Sequence, residues 1–468
     1  MSEFGTVPGP SGMQSRPRSA RGKAVQPFPE VPKPIERKDE RLRVLVTSHS
    51  HPKLTKGGAE ISAYALFEGI QSQPDTLGWF LGCSSKRTEV RAGSCISQPF
   101  GVSEFIYDPT VEFDYFKFAN PDPEFPKALD ELISKLAPDV VHAHHYAIFG
   151  VEVFRRIKKV RPQTKIILTL HEYLAICHNH GQMVKTKTNR LCRRETLLDC
   201  HVCFPYIPPQ DFFLRKAYFL RFLASVDRFV APSRFLASRY AEWGIDAAKI
   251  TVVENIKPAQ PEPAPAPASG LPLSANRRTK SRLRVGFFGQ MSPLKGINVL
   301  LDAAKVLHER RVRGVTFDIF GDYVNQPSEF QEAVINALND EELGSNVIYH
   351  GPYENEDVNS LMRTVDIVVV PSIWWENSPV VIREALHNRR PVVCSNIGGM
   401  AEKVRPGLDG LHFNIGDASA LAAVLEELMA SPEALDKLQE RMQVPLSTEL
   451  SMQQHMQLYR QMLADHVL

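Results

Sequence analysis

Pro371-Ser372-Ile373-Trp374-Trp375-Glu376-Asn377-Ser378-Pro379-Val380-Val381-Ile382-Arg383-Glu384 is the stretch on which the reading of this chain turns. An almost wholly apolar run, Asp366 to Val370, precedes it, and a second, Pro391 to Ser395, follows. Both read as buried strands. Ser378 and Pro379 read as N-cap and first helical residue of a helix running to about His387. Strand, loop and helix N-terminus, with free N–H groups pointing outward, make an anion site in an open α/β sheet. Glu376 falls on the loop, and Glu384 roughly one and a half turns into the helix. The helix end suits a phosphate, while the carboxylates accept hydrogen bonds from neutral hydroxyls. A sugar nucleotide offers both groups.

Working outward, Leu283 to Gly289 reads as a strand ending in a turn, and Lys295-Gly296 precedes an amphipathic helix from Asn298 to Glu309. A lysine on such a loop is either solvated or a point charge for a diphosphate. In the first half, strand Leu42–Thr47, loop Gly57-Gly58-Ala59-Glu60 and helix Ile61 to about Gln71 repeat the nucleotide-type beginning. Pro138 to His145 and Thr164 to Tyr173 are buried strands ending in polar groups, His142, His144, His145, His171 and Glu172. Ligands collect at such strand ends. A lone imidazole is more often a satisfied core residue, but here several converge with a carboxylate.

The spacing Glu376-x7-Glu384, with the downstream Arg390-Pro391-Val392-Val393-Cys394-Ser395 and Gly398-Gly399-Met400-Ala401-Glu402, resembles the retaining glycosyltransferases of family 4. The resemblance covers about Leu42 to Leu463, apart from a cysteine-rich loop and a linker insert. It implies an α/β fold of GT-B architecture, two Rossmann-like doubly wound domains facing a cleft. It also implies transfer of a sugar from a nucleoside-diphosphate donor, with no metal required. Glu384 would then hold the ribose hydroxyls and Glu376 the donor sugar. Lys295 and the helix start at Ser378, Pro379 and Val380 would stabilise the leaving diphosphate. Gly58 would lie near the donor phosphates, and His171, Glu172 and Tyr173 would line the acceptor side. Glu376, Lys295 and His144 are the catalytic candidates. Gln290 departs from the pattern, because the family usually has arginine there. Glutamine brings no charge to a diphosphate.

The remaining segments frame these two halves. Residues 1–41, rich in Pro, Ser, Arg and Lys, read as a disordered tail. An acceptor-binding domain over 42–256, a Pro/Ala-rich linker over 257–282 and a donor-binding domain over 283–449 follow. A final helix over 450–468 is expected to cross back onto the first domain. The loop at 174–205 holds Cys177, Cys192, Cys200 and Cys203; their spacing suits either a structural zinc or ordinary free thiols. Asp211 to Leu223, with Arg215, Lys216 and Arg221 as its cations, reads either as a core-facing helix with a charged edge or as an interfacial helix on anionic lipid.

A net charge of +2 gives no general pull toward nucleic acid. No apolar run approaches the ~20 residues that span a bilayer, and the polar N-terminus does not resemble a signal peptide. A cytoplasmic protein, at most peripheral to a membrane, is expected, acting on a glycan, lipid-linked or small-molecule acceptor. Two alternatives stay open: a non-catalytic sugar-nucleotide-binding subunit, for which Gln290 is the hint, and another enzyme of this architecture, such as an epimerase or phosphorylase.

Overall fold

The computed structural model describes residues 39–464, apart from 56, 85–93, 259–281, 325, 341–342, 344–345, 444 and 446. The expected N-terminal tail and most of the Pro/Ala-rich linker lie outside the described residues. In the N-terminal half, β1 (Leu42–Thr47), β2 (Thr76–Cys83), β3 (Ile96–Gly101), β4 (Glu104–Tyr107), β5 (Val140–Ala143), β6 (Lys165–Thr169), β7 (Arg228–Ala231) and β8 (Ile250–Val252) form one sheet. Its order is β3-β4-β2-β1-β5-β6-β7-β8, parallel except where β3 meets β4. The helices are α1 (Gly58–Gln71), α2 (Phe125–Leu136), α3 (Val153–Val160), α4 (Leu197–Cys203), α5 (Pro209–Leu223) and α6 (Arg234–Trp243).

The C-terminal half has a six-stranded parallel sheet of β9 (Leu283–Phe288), β10 (Val315–Phe320), β11 (Val347–Gly351), β12 (Ile367–Val370), β13 (Val392–Ser395) and β14 (Gly410–Phe413). Helices α7 (Ile297–Glu309), α8 (Ser328–Leu338), α9 (Val358–Met362), α10 (Val380–His387), α11 (Gly398–Lys403), α12 (Ala418–Ala430) and α13 (Pro432–Arg441) connect and cover it; α14 (Thr448–Ala464) follows. The order β11-β10-β9-β12-β13-β14 is that of a Rossmann sheet, reversing direction between β9 and β12. The N-terminal sheet reverses between β1 and β5. Ligands bind beyond the strand ends at such reversals, so topology alone selects the loops after β1, β5, β9 and β12. The two-sheet α/β architecture expected from the sequence is the one observed.

The central strands are short aliphatic runs buried on both faces, as parallel sheets between helices require; β12, Ile-Val-Val-Val, is buried throughout, whereas the outer β3, β8 and β11 are largely half-buried or exposed. The last helix belongs to the N-terminal sheet. Met452, Met456, Tyr459 and Met462 of α14 pack in one cluster with Val44, Val46, Leu66 and Phe80. Polar contacts fix its register. The Tyr459 hydroxyl lies 2.7 Å from Nδ1 of His142, whose Nε2 lies 2.7 Å from Oγ1 of Thr169. The His455 ring stacks on His142 at 5.7 Å. Burial holds both imidazoles below their usual pKa, His142 most strongly.

α5 buries one face, Phe212, Arg215, Phe219 and Leu223. Arg215 is therefore no part of a charged edge. It is 1% exposed, and its guanidinium donates to the carbonyls of Phe116 at 2.7 Å and Ala175 at 2.6 Å, and to that of Leu174. The planar fork reaches three loop carbonyls that have no strand to pair with, while the Phe219 ring lies 4.7 Å away.

Arg215→Met should keep much of the volume and lose all three bonds, lowering unfolding free energy by on the order of 3 kcal/mol. Denaturant titration checks this; an unchanged midpoint would mean that water satisfies the carbonyls equally well. A second expectation concerns pH. His142 and His455 are neutral in the fold and regain an ordinary pKa, about 6.5, on unfolding. The unfolded chain therefore binds more protons, and stability falls as pH drops through that value. The melting temperature should fall by several degrees between about pH 7.5 and 5.5, less so in His455→Gln. A flat profile would show that these rings titrate normally.

Candidate active site

Glu376 lies in the loop after β12 and is 6% exposed. Its Oε1 accepts from Nζ of Lys295 at 2.6 Å, Oγ of Ser372 at 2.9 Å and Nε1 of Trp374 at 2.9 Å. Lys295 ends a short 3-10 turn, Pro293–Lys295, capped by Ser292. The chain can reach this position because Gly296 follows, at φ +71°; a Cβ there would sit 1.9 Å from the Pro371 carbonyl oxygen. The β9 and β12 loops are thus pressed together backbone to backbone, with Lys295 and Glu376 meeting at the junction. Gln290, on the same β9 loop, is exposed.

The helix starts one residue later than the sequence suggested. Pro379, not Ser378, is the N-cap of α10, and no side chain caps it. The Ser378 hydroxyl instead donates to Oε1 of Glu254, in the segment that leaves β8, at 2.7 Å. Lys403 also contacts the Glu254 carboxylate, and Arg383 donates to the Asn255 carbonyl. Glu384 points to the same segment, its Oε1 accepting from Nζ of Lys257 at 2.8 Å. Burial lowers the pKa of Lys257, and the neighbouring Glu384 opposes that shift. Val380 is exposed in the first turn of α10, and Gly58 faces it from α1; a Cβ on Gly58 would lie 3.8 Å from Val380.

The same loop also grips the N-terminal half. Asn377 Nδ2 donates to the His171 carbonyl at 2.6 Å, and Trp375 Nε1 to that of Cys192 at 3.0 Å. The Trp375 ring packs on Phe235, with Arg239 over it. Glu402 accepts from the N–H groups of Arg234 and Phe235, each at 2.9 Å, and so caps the first turn of α6 across the cleft. Gly399 permits the approach, since a Cβ there would lie 1.8 Å from the Asn377 carbonyl oxygen.

Opposite stand the histidines. His144 Nδ1 and His171 Nε2 are 3.0 Å apart, and burial holds His171 down to about 4 and His144 well below its usual value. His145 Nε2 lies 3.3 Å from Glu172 Oε1. Burial would raise the Glu172 pKa, but His145 and the Leu174 N–H hold it below the ordinary value. Tyr173 does not line the acceptor side. It is fully buried in the N-terminal core, because the chain turns inward after Glu172. His49, at the end of β1, was missed; it lies 3.0 Å from Glu60, its ring 4.3 Å from His145. The rule that drew attention to the ends of β5 and β6 would have found it.

Cys177, Cys192, Cys200 and Cys203 are free thiols. Among the described residues, no group of three or more His, Cys, Asp or Glu is gathered so as to hold a metal ion, so the zinc cluster admitted by the spacing is not assembled. Ordinary hydrogen bonds shape the loop instead. Val184 bridges Leu191, Thr196 caps α4, and Lys185 pairs with Asp199 at 2.8 Å.

Comparison with known proteins bears on both halves. Residues 56–256 match the model for Glycosyltransferase Family 4, and residues 282–431 that for Glycosyl transferases group 1. A lipopolysaccharide 1,2-N-acetylglucosaminetransferase of Salmonella typhimurium is 25% identical over 266 residues, 55% of this chain and 63% of the relative. An uncharacterized 41.2 kDa protein in the cps region of Klebsiella pneumoniae is 26% identical over 227 residues, 48% of this chain and 59% of the relative. The chain thus spans about three fifths of these relatives' length. Among solved structures, Anabaena HepE in complex with UDP aligns over 90% of this chain and 100% of that one, with TM-score 0.61 and 15% identity. Sucrose-phosphate synthase from Thermosynechococcus elongatus aligns over 91% and 100%, with TM-score 0.63 and 18% identity. With a glycosyltransferase model matching each half and this fold uniting them, the chain belongs to the GT-B glycosyltransferases.

Proposed function

We propose that this protein is a retaining glycosyltransferase that moves a sugar from a nucleoside-diphosphate donor to an acceptor hydroxyl during glycan, polysaccharide or glycolipid synthesis. The observation that carries the reading is the pairing of two carboxylates with two lysines, Glu376 with Lys295 and Glu384 with Lys257, around the start of α10. The relative that acts in lipopolysaccharide synthesis and the HepE structures holding UDP or UDP-glucose support it.

In this reading the donor lies across the ends of β9 and β12. Glu384 accepts from the ribose hydroxyls and Glu376 from those of the donor sugar. Lys295 and the first N–H groups of α10 face the diphosphate, whose charge grows as the glycosidic bond breaks. Glu376 holds the Lys295 ammonium on the β12 side of the loop, so the charge is placed before the donor arrives. His144, His171 and Glu172 face the acceptor. With no nucleophile assigned on the sugar's opposite face, retention is ascribed to same-face attack, the leaving phosphate taking the acceptor proton. Incubation with a panel of labelled nucleotide sugars separates transfer from binding without turnover and from conversion without an acceptor.

Glu384→Ala should weaken both donor and free nucleotide. Glu376→Ala should leave free nucleotide binding nearly intact and lower turnover. Lys295→Ala should reduce the rate by on the order of 10²–10³, more than it reduces ground-state binding. Nucleotide affinity measured beside turnover tests all three; equal loss of free-nucleotide affinity in the two glutamate variants would overturn the division of roles.

The exposed Gln290 marks where a second cation would enter. Gln290→Arg should tighten nucleoside-diphosphate binding about tenfold, the size of one charge-assisted hydrogen bond. Unchanged affinity by calorimetry would place that side chain away from the diphosphate.

A further inference from the structure

The helical hairpin of α4 and α5 is built unlike the rest of the surface. The inner face of α5 is packed, yet Phe213 and Leu214 on its other side are 59% and 57% exposed. On α4, Leu198 and Val202, one turn apart, are 72% and 53% exposed, and Tyr206 in the connecting turn is 77% exposed. The Phe204 ring bridges the two helices, lying 6.2 Å from Tyr206 and 6.4 Å from Phe212. Single exposed apolar residues are ordinary, whereas five large ones on one hairpin mark an interaction surface.

Charge decides what that surface meets. Residues 185–221 carry eight Lys and Arg against three Asp and Glu. Arg215 is buried, Lys185 is paired with Asp199, and Lys216 approaches Glu195. The other five, Lys187, Arg190, Arg193, Arg194 and Arg221, are exposed. A similar polarity recurs where the end of α5 meets α2 and α3, in a crevice of about 500 Å³ with Phe125, Phe149 and Phe222 inside and Arg155 and Lys159 on α3. A second copy of the chain would bring the same cations against these, and like charges would repel. An anionic lipid surface offers what both parts need, an apolar boundary beneath a layer of phosphates.

We propose that the α4–α5 hairpin docks this protein on an anionic membrane surface. Leu198, Val202, Tyr206, Phe213 and Leu214 enter the headgroup boundary, and Lys187, Arg190, Arg193 and Arg194 of the loop before α4, with Arg221 in the last turn of α5, contact lipid phosphates. The inference rests on the hairpin, the basic loop before it and the neighbouring crevice, and stands whether or not the transfer reading does.

Flotation of the full chain with phosphatidylcholine vesicles, with and without phosphatidylglycerol, tests it. The protein should bind only the anionic vesicles, and less tightly as salt rises. The pair Phe213→Ser with Leu214→Ser, and separately Arg190→Ser with Arg193→Ser and Arg194→Ser, should each weaken binding about tenfold without altering the melting temperature. Tyr206→Ser, outside both helices, should weaken it less, and keeps the test available if a helix variant fails to fold. Equal binding by variants and parent would overturn the proposal, as would no binding to either vesicle. So would a dimer in solution that the apolar variant converts to monomer, which would make the face a protein interface.

Discussion

One carboxylate oxygen, Oε1 of Glu376, takes hydrogen bonds from Lys295, Ser372 and Trp374. A carboxylate this buried is costly unless its lone pairs are met, so the compensation fixes everything around it. The β9 and β12 loops must close on each other, and Gly296 is the residue that lets them, having no Cβ to strike Pro371. The residues on either side of Glu376 then work toward the other half of the protein. Trp375 and Asn377 reach carbonyls of the N-terminal half, at Cys192 and His171. One loop therefore both holds the charged junction and braces the two halves.

The remaining contacts between the halves are mostly polar. Glu254 meets Ser378 and Lys403, Lys257 meets Glu384, and Glu402 caps α6. Such groups exchange a protein partner for water at modest net cost. Trp375 against Phe235 is the main apolar exception. An interface of this kind opens at the cost of few apolar contacts, chiefly those of Trp375 and Ile397 with the N-terminal core. The segment Glu254 to Lys257, between the two sheets in sequence, contributes two of these charges itself, so its position and the setting of Glu384 are linked.

The sequence showed most clearly what depends on periodic burial and on strand ends. Runs such as Ile367–Val370 could only be interior strands, and the polar residues just beyond them marked the cleft. What it concealed depends on which of two partners a polar atom chooses. Ser378 looks like an N-cap because serine usually serves the nearest N–H, but Glu254, distant in sequence, wins it. Arg215 looks like a helix-edge cation, yet three unpaired loop carbonyls draw it inward. Tyr173 follows two candidate site residues and is core, because one further step along the chain turns the side chain away. The edge strand β3 and its neighbour β4 offered little periodic signal, Pro99 and Gly101 interrupting the first. The composition around Lys257 reads as linker, whereas its ammonium is held against Glu384.

The two sides of the cleft also differ in charge. Lys295 and Lys257 gather beside the C-terminal strand ends, each against a carboxylate. The N-terminal strand ends present His144, His145 and His171, whose pKa values burial lowers, so near neutral pH they are uncharged. The His49 ring, 4.3 Å from that of His145 between centroids, lowers the His145 pKa further. The neutral imidazole of His145 beside Glu172 gives a hydrogen-bond donor and acceptor without adding positive charge. Under the proposed transfer reading, a diphosphate would meet the lysine side of the cleft and a hydroxyl-bearing acceptor the imidazole side. Under that reading, Gln290 would leave Lys295 and the start of α10 a larger share of the diphosphate than an arginine at that position would.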